Sequence, residues 1–326
     1  MTQISSPNLE NSHRLLREAC GRVLLPNRVL IELAGNDAKG WLQGQVTNDL
    51  RNLQLGGFMG SCLCKSTGQL EAILSLWSLP NRLIIIGDQA SAAVLSERVK
   101  KMVILEEVHI DERPMHVFYV QGPRATETLS QWMTLPQLSA GETEMNGVPV
   151  TVLRSNRSGY GGWVVALSAG ATEQIATLEA ALPVIEEEAY RVACLENGAP
   201  QFGVDTDAKT LLPELGTAFE SNYISYKKGC YLGQEVLMRI HSRGQVQRKW
   251  MGLFTNDLVE PGDRILHPRR SEVGIVTSAA DSPDHGYIAA GFVRREVAYS
   301  GEMVTIETAR GPIEAELQEM PILHMG

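Results

Sequence analysis

The feature that most constrains the fold of this chain is a change in sequence pattern near residue 246. Before that point, segments with helical periodicity and segments typical of strands are mixed. From Trp250 onward, short strand-like segments follow one another, separated by Gly, Pro and Asp residues. This spacing is typical of a small antiparallel β-barrel or sandwich. We therefore predict one domain over residues 1–245 and a β-rich domain over residues 246–326.

The region before residue 246 favours an α+β fold, because its strands and helices do not alternate as they do in a doubly wound sheet. The pattern predicts strands over residues 82–87 and 115–121, and helices over residues 91–102, 125–133 and 185–197. The dipeptide Asn146-Gly147 predicts a two-residue hairpin turn between two further strands.

Charge and composition narrow the class of function. The chain has 29 Lys and Arg against 38 Asp and Glu, a formal net charge of −9. A protein that coats nucleic acid needs a cationic surface to bind the phosphates. Because this chain is acidic, we expect its contact with nucleic acid to be at most indirect. A basic cluster is formed by Arg239, His241, Arg243, Arg248 and Lys249. This cluster would attract a folate polyglutamate, an RNA or a protein partner, or it is simply a solvated charged stretch.

The N-terminal segment, the lengths of the apolar runs and the cysteines together favour a cytoplasmic protein without a membrane partner. The first twenty residues are polar and lack the apolar core of a signal peptide. No apolar run reaches the ~18–20 residues that cross a bilayer. The five cysteines are scattered and odd in number, which argues against a disulfide framework. Cys62 and Cys64 share one face of a predicted strand, and core packing explains them better than a metal site, so no metal is predicted.

The segment most suggestive of chemistry is Lys228-Gly229-Cys230-Tyr231-Leu232-Gly233-Gln234-Glu235. Residues 234–240 are predicted to be helical, which places Cys230 on a loop just before a helix N-terminus. The preceding lysines and the helix dipole favour the thiolate over the thiol, so Cys230 is the cysteine expected to be reactive. The alternative is an ordinary tight loop whose glycines serve only backbone geometry.

This string resembles the K-G-C-Y-x-G-Q-E signature of the YgfZ group in the aminomethyltransferase (T-protein, GcvT-like) folate-binding superfamily, and it matches every fixed position. Further blocks resemble the superfamily along most of the chain, at residues 35–38, 42–49, 65–68, 121–125 and 195–200. The resemblance implies two interleaved α+β lobes around a central channel, followed by a C-terminal antiparallel β-barrel. It also implies tetrahydrofolate or a one-carbon derivative in that channel.

The resemblance assigns roles to particular residues. Glu196 occupies the position of the glutamate that binds the pterin ring, and a carboxylate can accept two parallel N–H bonds there. The alternative is that Glu196 merely ends a helix near Gly198. Arg239 would neutralise the glutamate tail of folate or support Glu196. The expected catalytic residues are Cys230, as the reactive thiol, and Lys228, and the expected cofactor-binding residues are Glu196, Tyr231, Gln234, Glu235 and Arg239.

The sequence also departs from true aminomethyltransferases. Their aspartate pair corresponds to Ala72 and Ile73, and Glu71 is one residue early, which on a strand turns it to the opposite face. A glycine-rich segment that ends in Glu in that family ends in Trp163 here. Glycine-cleavage activity is therefore not expected, and whether the protein is an enzyme stays open.

Three functions compete. The YgfZ group is associated with assembly or repair of iron–sulfur clusters in client enzymes, and thereby with thio-modification of tRNA. In that function, Cys230 would accept a one-carbon unit, form a mixed disulfide, or contact a cluster or a client thiol. The alternatives are a folate-dependent one-carbon (aminomethyl) transferase and a passive folate-binding module.

Overall fold

The computed structural model of the protein describes residues 7–111 and 113–322. The first six residues of the polar N-terminal segment lie outside this part. The helices are α1 (Pro7–Glu18), α2 (Ala38–Gln43), α3 (Gln89–Met102), α4 (Ala125–Leu129), α5 (Thr172–Ala181), α6 (Glu187–Glu196), α7 (Thr217–Tyr223) and α8 (Gln234–Arg243).

The strands are distributed over the whole described chain. They are β1 (Gly21–Val23), β2 (Arg28–Ala34), β3 (Phe58–Cys64), β4 (Leu70–Leu79), β5 (Arg82–Asp88), β6 (His109–Asp111), β7 (Met115–Gln121), β8 (Ala140–Met145), β9 (Val148–Arg154), β10 (Gly162–Ser168), β11 (Val184–Ile185), β12 (Arg248–Thr255), β13 (Arg264–His267), β14 (Arg270–Ser282), β15 (Gly286–Arg294), β16 (Met303–Thr308) and β17 (Gly311–Gln318).

The described chain divides into two compact units. The first contains the described residues up to Leu63 together with Ala72–Arg191. The second contains Cys64–Glu71 together with the described residues from Val192 onward. The short segment Cys64–Glu71 thus belongs to the second unit although both of its neighbours in sequence belong to the first. The domain boundary near residue 246 stays a prediction.

The region before the barrel contains two sheets, and the strands of the two sheets are interleaved along the chain. One has six strands in the order β11-β1-β7-β10-β9-β8, and the other has five in the order β3-β4-β5-β2-β6. The chain makes β1 of the first sheet, then β2 to β6 of the second, then returns to the first with β7. The α+β fold class and the interleaving implied by the resemblance are therefore confirmed.

Each sheet buries a separate apolar core, as alternating strand side chains require. Leu33, Leu74 and Ile85 of the five-stranded sheet are completely buried in a core with Leu95 of α3. Val120 and Val165 belong to the core of the six-stranded sheet, together with Trp163, Leu129 of α4 and Leu178 of α5. Full burial of one such aliphatic side chain contributes about 1.5–3 kcal/mol to folding.

The predicted strands, hairpin and helices are present, and the boundaries of the predicted helices shift by one to four residues. Asn146 and Gly147 have φ values of 51° and 77°, as the predicted hairpin turn between β8 and β9 requires. The helix predicted over 125–133 ends at Leu129, where the Ser130 hydroxyl donates to the Thr126 carbonyl at 2.7 Å. The helix predicted from residue 185 begins at Glu187, because Val184–Ile185 pairs with β1 as a strand.

The C-terminal strands close into an antiparallel barrel, which confirms the β-rich prediction. Its order is β12-β15-β14-β13-β16-β17, and β17 pairs back onto β12. Apolar side chains from all six strands fill its interior, among them Leu253, Ile265, Val276, Ala289, Ile306 and Leu317. In the described part of the chain, every helix is too short or too polar to cross a membrane.

Candidate functional site

The predicted site residues all lie in the second unit, and most of them lie on one loop and the helix that follows it. We call residues 228–235 the signature loop. Helix α8 begins at Gln234, as predicted, with Gly233 as its N-cap in a left-handed conformation. Cys230 therefore stands four residues before the first helical residue.

Two glycines allow the signature loop to approach the turn formed by residues 65–68. Gly233 has φ +88°, and a Cβ atom at this position would lie 2.5 Å from the Lys65 carbonyl oxygen. Gly68 has φ +78°, and a Cβ atom there would lie 3.0 Å from the Val236 Cβ. Side chains cannot occupy such positions without a shift of the backbone. Two of the sequence blocks that carry the resemblance, residues 65–68 and the signature loop, are therefore in direct contact.

Cys230 is the exposed cysteine of this protein. All five cysteines lie in the described part of the chain without a disulfide, and Cys20, Cys62, Cys64 and Cys194 are buried. A reactive thiol must be accessible to its partner, and buried structural thiols are inert. Access thus distinguishes Cys230 from the other four.

Lys228 turns its charge toward an aromatic ring. The side chain is buried, and Nζ lies 4.9 Å from the centroid of the Tyr231 ring, which is also buried. An ammonium over the face of an aromatic ring is stabilised by the ring's quadrupole. The contact joins two residues of the signature loop that lie on either side of Cys230 in the sequence. The catalytic role of Lys228 stays a prediction.

Gln234 holds the signature loop closed. Its backbone N–H donates to the Tyr231 carbonyl at 3.2 Å, and its side-chain Nε2 donates to the Lys228 carbonyl at 3.2 Å. Both bonds return from the first helical residue to the loop before it. The side-chain amide thus shapes the loop that carries Cys230, and its predicted contact with a cofactor stays a prediction.

A group that sequence reasoning missed connects helices α7 and α8. The Tyr226 hydroxyl donates to Oε1 of Glu220, and the Tyr226 ring stacks on His241 with centroids 3.7 Å apart. Burial, then the bond to Glu220, raises the pKa of the Tyr226 phenol. Tyr226 directly precedes the two lysines, but neither its spacing from Glu220 nor any motif indicates this contact.

Glu196 is the last residue of α6 and is completely buried. Its Oε1 accepts a hydrogen bond from the Ser282 hydroxyl at 2.6 Å, and its backbone carbonyl accepts one from Ile322 N–H at 2.8 Å. A carboxylate has about four lone-pair sites, and the Ser282 hydroxyl occupies one of them. Glu196 is the last residue of α6, and its side chain also forms a hydrogen bond with Ser282, the last residue of barrel strand β14.

Glu235 and Arg239 are exposed on α8, one turn apart. Neither side chain forms a hydrogen bond or an ion pair with another described residue. The structure does not bring Arg239 to Glu196, so the suggested support of Glu196 by Arg239 is not observed. Arg239 and Glu235 remain predicted cofactor contacts.

The rest of the basic cluster is largely engaged in ion pairs. Arg248 Nη2 lies 3.1 Å from Glu214 Oε2, and its guanidinium stacks over the Phe292 ring at 4.0 Å. Lys249 Nζ lies 3.7 Å from Glu319 Oε1. The side chain of Arg243 lies outside the described part. Within the residues that are described, no group of three or more His, Cys, Asp and Glu side chains has the geometry to hold a metal ion.

Two interleaved sheets and a closed barrel define the class of aminomethyltransferase-like folds. The glycine cleavage system aminomethyltransferase T from Bartonella henselae superposes with a TM-score of 0.86 at 20% identity, covering 96% of this chain and 89% of that one. The model of the GCVT N-terminal domain matches residues 2–221, and that of the glycine cleavage T-protein C-terminal barrel domain matches residues 248–323. The chain belongs to this family.

Sequence relatives come from two branches of the family. The tRNA-modifying protein YgfZ of Vibrio vulnificus (strain CMCP6) is 25% identical over 221 residues, which cover 68% of this chain and 66% of that protein. The protein of the same name from Colwellia psychrerythraea is 23% identical over 220 residues, covering 67% and 66%. The alignments thus span just under two-thirds of these relatives. An aminomethyltransferase of Saccharopolyspora erythraea is 25% identical over 331 residues, covering 95% and 88%. The resemblance to a YgfZ-type protein of this superfamily is confirmed.

Proposed function

We propose that this protein binds tetrahydrofolate or a one-carbon derivative and supports the assembly or repair of iron–sulfur clusters in client enzymes. Through such clients it would support thio-modification of tRNA, in keeping with the names of its YgfZ relatives. The proposed setting is the cytoplasm, where thiols stay reduced. The proposed arrangement is a folate-binding region over residues 1–245 and a barrel domain over residues 246–326.

The observation that carries this proposal is the accessibility of Cys230 on a constrained loop. The thiol is exposed, while Gln234, Gly233 and the Lys228–Tyr231 contact fix the backbone around it. A fixed, accessible thiol is suited to meet a client protein or its cluster, because little conformational freedom is lost on contact.

The folate part of the proposal rests on the chemistry of Glu196. Glu196 is a completely buried carboxylate whose Oε1 accepts the Ser282 hydroxyl, and a carboxylate group accepts several hydrogen bonds. The 2-amino-pyrimidine edge of a pterin offers two parallel N–H donors, and charge-assisted bonds of this kind are strong. Glu196 therefore fits the group that the family implies, and tetrahydrofolate would supply one-carbon chemistry when bound.

A one-carbon transferase is the second candidate, favoured by the fold likeness to aminomethyltransferase T. The residues at the positions of the aspartate pair argue against it. Ala72 and Ile73 are buried apolar side chains on β4. Trp163 is buried in the core of the six-stranded sheet, where its Nε1 donates to the Thr126 hydroxyl at 2.9 Å. Neither position offers a carboxylate to an aminomethyl group.

The first experiment tests folate binding. The full chain is purified natively and examined for bound folate and iron, and tetrahydrofolate is then titrated into wild type, Glu196→Gln and Glu319→Gln. Glu319 is an exposed glutamate of the same unit and serves as the matched control. We expect Glu196→Gln to lose most of the affinity and Glu319→Gln to keep it. Absence of folate binding by wild type would remove the folate proposal.

The second experiment tests the thiol. The activity of a [4Fe–4S] enzyme is measured in cells that lack this protein and are complemented with wild type or Cys230→Ser. We expect the variant to restore little activity although it is made in normal amounts. Full rescue by Cys230→Ser would exclude a role for the thiol and would leave passive folate binding as the function. In a separate assay, turnover of a methylene donor by the purified protein would favour the one-carbon transferase.

A further inference from the structure

The chain leaves the barrel after β17 and comes back to the end of helix α6. Residues 320–322 make this contact, and we call them the segment after β17. The N–H of Ile322 donates to the main-chain carbonyl of Glu196 at 2.8 Å. Both residues belong to the second unit. The segment after β17 therefore contacts the residue that is proposed to bind the pterin.

The side chain of Ile322 packs against the outer side of barrel strand β12. Met251 and Leu253 belong to the barrel interior, so Gly252 between them faces outward. A Cβ atom at Gly252 would lie 3.0 Å from Cγ1 and 3.1 Å from Cδ1 of Ile322. Ile322 itself is buried. The absence of a side chain at Gly252 thus leaves the space that Ile322 occupies.

A second glycine lets the segment after β17 pack on the turn that follows α6. Gly198 stands two residues after Glu196 and has φ +63°. A Cβ atom at Gly198 would lie 3.0 Å from the Pro321 Cα and 3.2 Å from the Met320 Cβ. The main chains of the two segments are therefore in direct contact. The segment is fixed both at the barrel and at the end of α6.

Glu196 is thus held both at its side chain and at its main chain. Ser282 donates to the carboxylate of Glu196, and Ile322 donates to its carbonyl. Hydrogen bonds weaken steeply as they depart from linearity, so a carboxylate that accepts two parallel N–H groups must keep its direction. The bond from Ser282 sets the direction of the side chain. The bond from Ile322 fixes the peptide group from which that side chain projects.

We propose that Ile322 is a positioning residue for folate binding and that it acts through Glu196. Its side chain is held in the space beside Gly252, and its N–H holds the Glu196 carbonyl, so the carboxylate keeps the orientation that a pterin requires. This inference rests on the proposed binding of folate. It differs from a purely stabilising role, because a change at Ile322 lowers the affinity for folate in protein that is still folded.

The test titrates tetrahydrofolate by calorimetry into the full-length wild type, Ile322→Ala, Ile322→Val and Ile306→Ala, at a temperature where each protein is folded. Ile306 is completely buried inside the barrel, so its truncation to alanine costs stability without touching the end of α6. We expect the affinity to fall at least about tenfold in Ile322→Ala. Ile306→Ala should bind like wild type, and so should Ile322→Val, which keeps most of the side chain.

A pair of complementary changes tests the contact between Ile322 and β12. Gly252→Ala places a methyl group where the Ile322 side chain lies, so the affinity for tetrahydrofolate should fall at least about tenfold. Ile322→Val removes Cδ1 from the same place. The double variant should therefore recover part of the lost affinity, because effects on two residues in contact are not additive.

The outcomes separate this inference from the folate proposal. If wild type binds no tetrahydrofolate, the folate proposal fails and the positioning role fails with it. If wild type binds tetrahydrofolate and Ile322→Ala binds it equally well, only the positioning role is overturned. Equal losses of affinity in Ile322→Ala and Ile306→Ala would overturn it too, because any loss of barrel packing would then have the same effect. If Ile322→Ala does not fold, equal affinities of Gly252→Ala and the double variant would overturn the role.

Discussion

The Ser282 hydroxyl donates a hydrogen bond of 2.6 Å to the carboxylate of Glu196, and both side chains are buried. The same hydroxyl oxygen accepts the backbone N–H groups of Asp284 and His285, at 3.2 Å and 3.0 Å. Ser282 therefore orients Glu196 against the turn between β14 and β15. If Glu196 binds a pterin, this serine sets the direction in which its carboxylate faces.

The first prediction concerns that bond. Ser282→Ala removes the hydroxyl donor from a buried carboxylate, so the free energy of unfolding should fall by about 1.5–3 kcal/mol. Affinity for tetrahydrofolate should fall in parallel, because the carboxylate loses its orientation. Urea unfolding and folate titration measure both effects. Ser221→Ala, at an exposed serine of α7, should change stability by less than about 0.5 kcal/mol. Wild-type stability of Ser282→Ala would show that the bond contributes nothing.

The second prediction concerns thiol access. A thiol reagent added to native protein should modify a single cysteine, because only Cys230 is exposed. The Cys230→Ser variant should then take up no reagent until it is unfolded, and unfolded wild type should take up five equivalents. Mass spectrometry of the labelled peptides checks the assignment. Rapid labelling of Cys62 or Cys64 in native protein would contradict it.

The third prediction concerns the glycines of the signature loop. Gly233→Ala should destabilise the protein by more than about 1 kcal/mol, because the new Cβ meets the Lys65 carbonyl in a left-handed backbone. Gly229→Ala is the matched control, since a Cβ there has no atom within 4 Å. Unfolding midpoints of the two variants should therefore differ clearly. Equal midpoints would mean that the contact with the 65–68 turn does not constrain the loop.

The fourth prediction concerns acid stability. Hydrogen bonds from Arg51 lower the pKa of Asp49 to about 2, from 3.8. Because the native pKa is the lower one, ionised Asp49 stabilises the fold above pH 3.8, and this contribution disappears as the pH falls through 2. Asp49→Asn should therefore be less stable than wild type at pH 6, and the difference should shrink by pH 2. A difference that does not change with pH would refute this assignment.

Much of the fold follows from local patterns. The barrel strands were predicted from the spacing of turn residues, and the hairpin at Asn146-Gly147 from a dipeptide whose residues accept positive φ. The errors arose where tertiary pairing overrode local preference. Residue 185 was predicted to start a helix, yet it pairs with β1 as part of the strand Val184–Ile185. A two-residue strand at a sheet edge leaves no periodicity in the sequence.

The sequence by itself determined the loop, the cysteine and the helix of the signature region, because glycine, charge and helical periodicity act over a few neighbouring residues. Only the tertiary structure decided which partners these residues meet. Ser282 lies 86 residues from Glu196 in the sequence, and the Tyr226 ring stacks on His241 of α8. Periodicity predicts the face on which a side chain lies. The path of the whole chain decides what that face contacts.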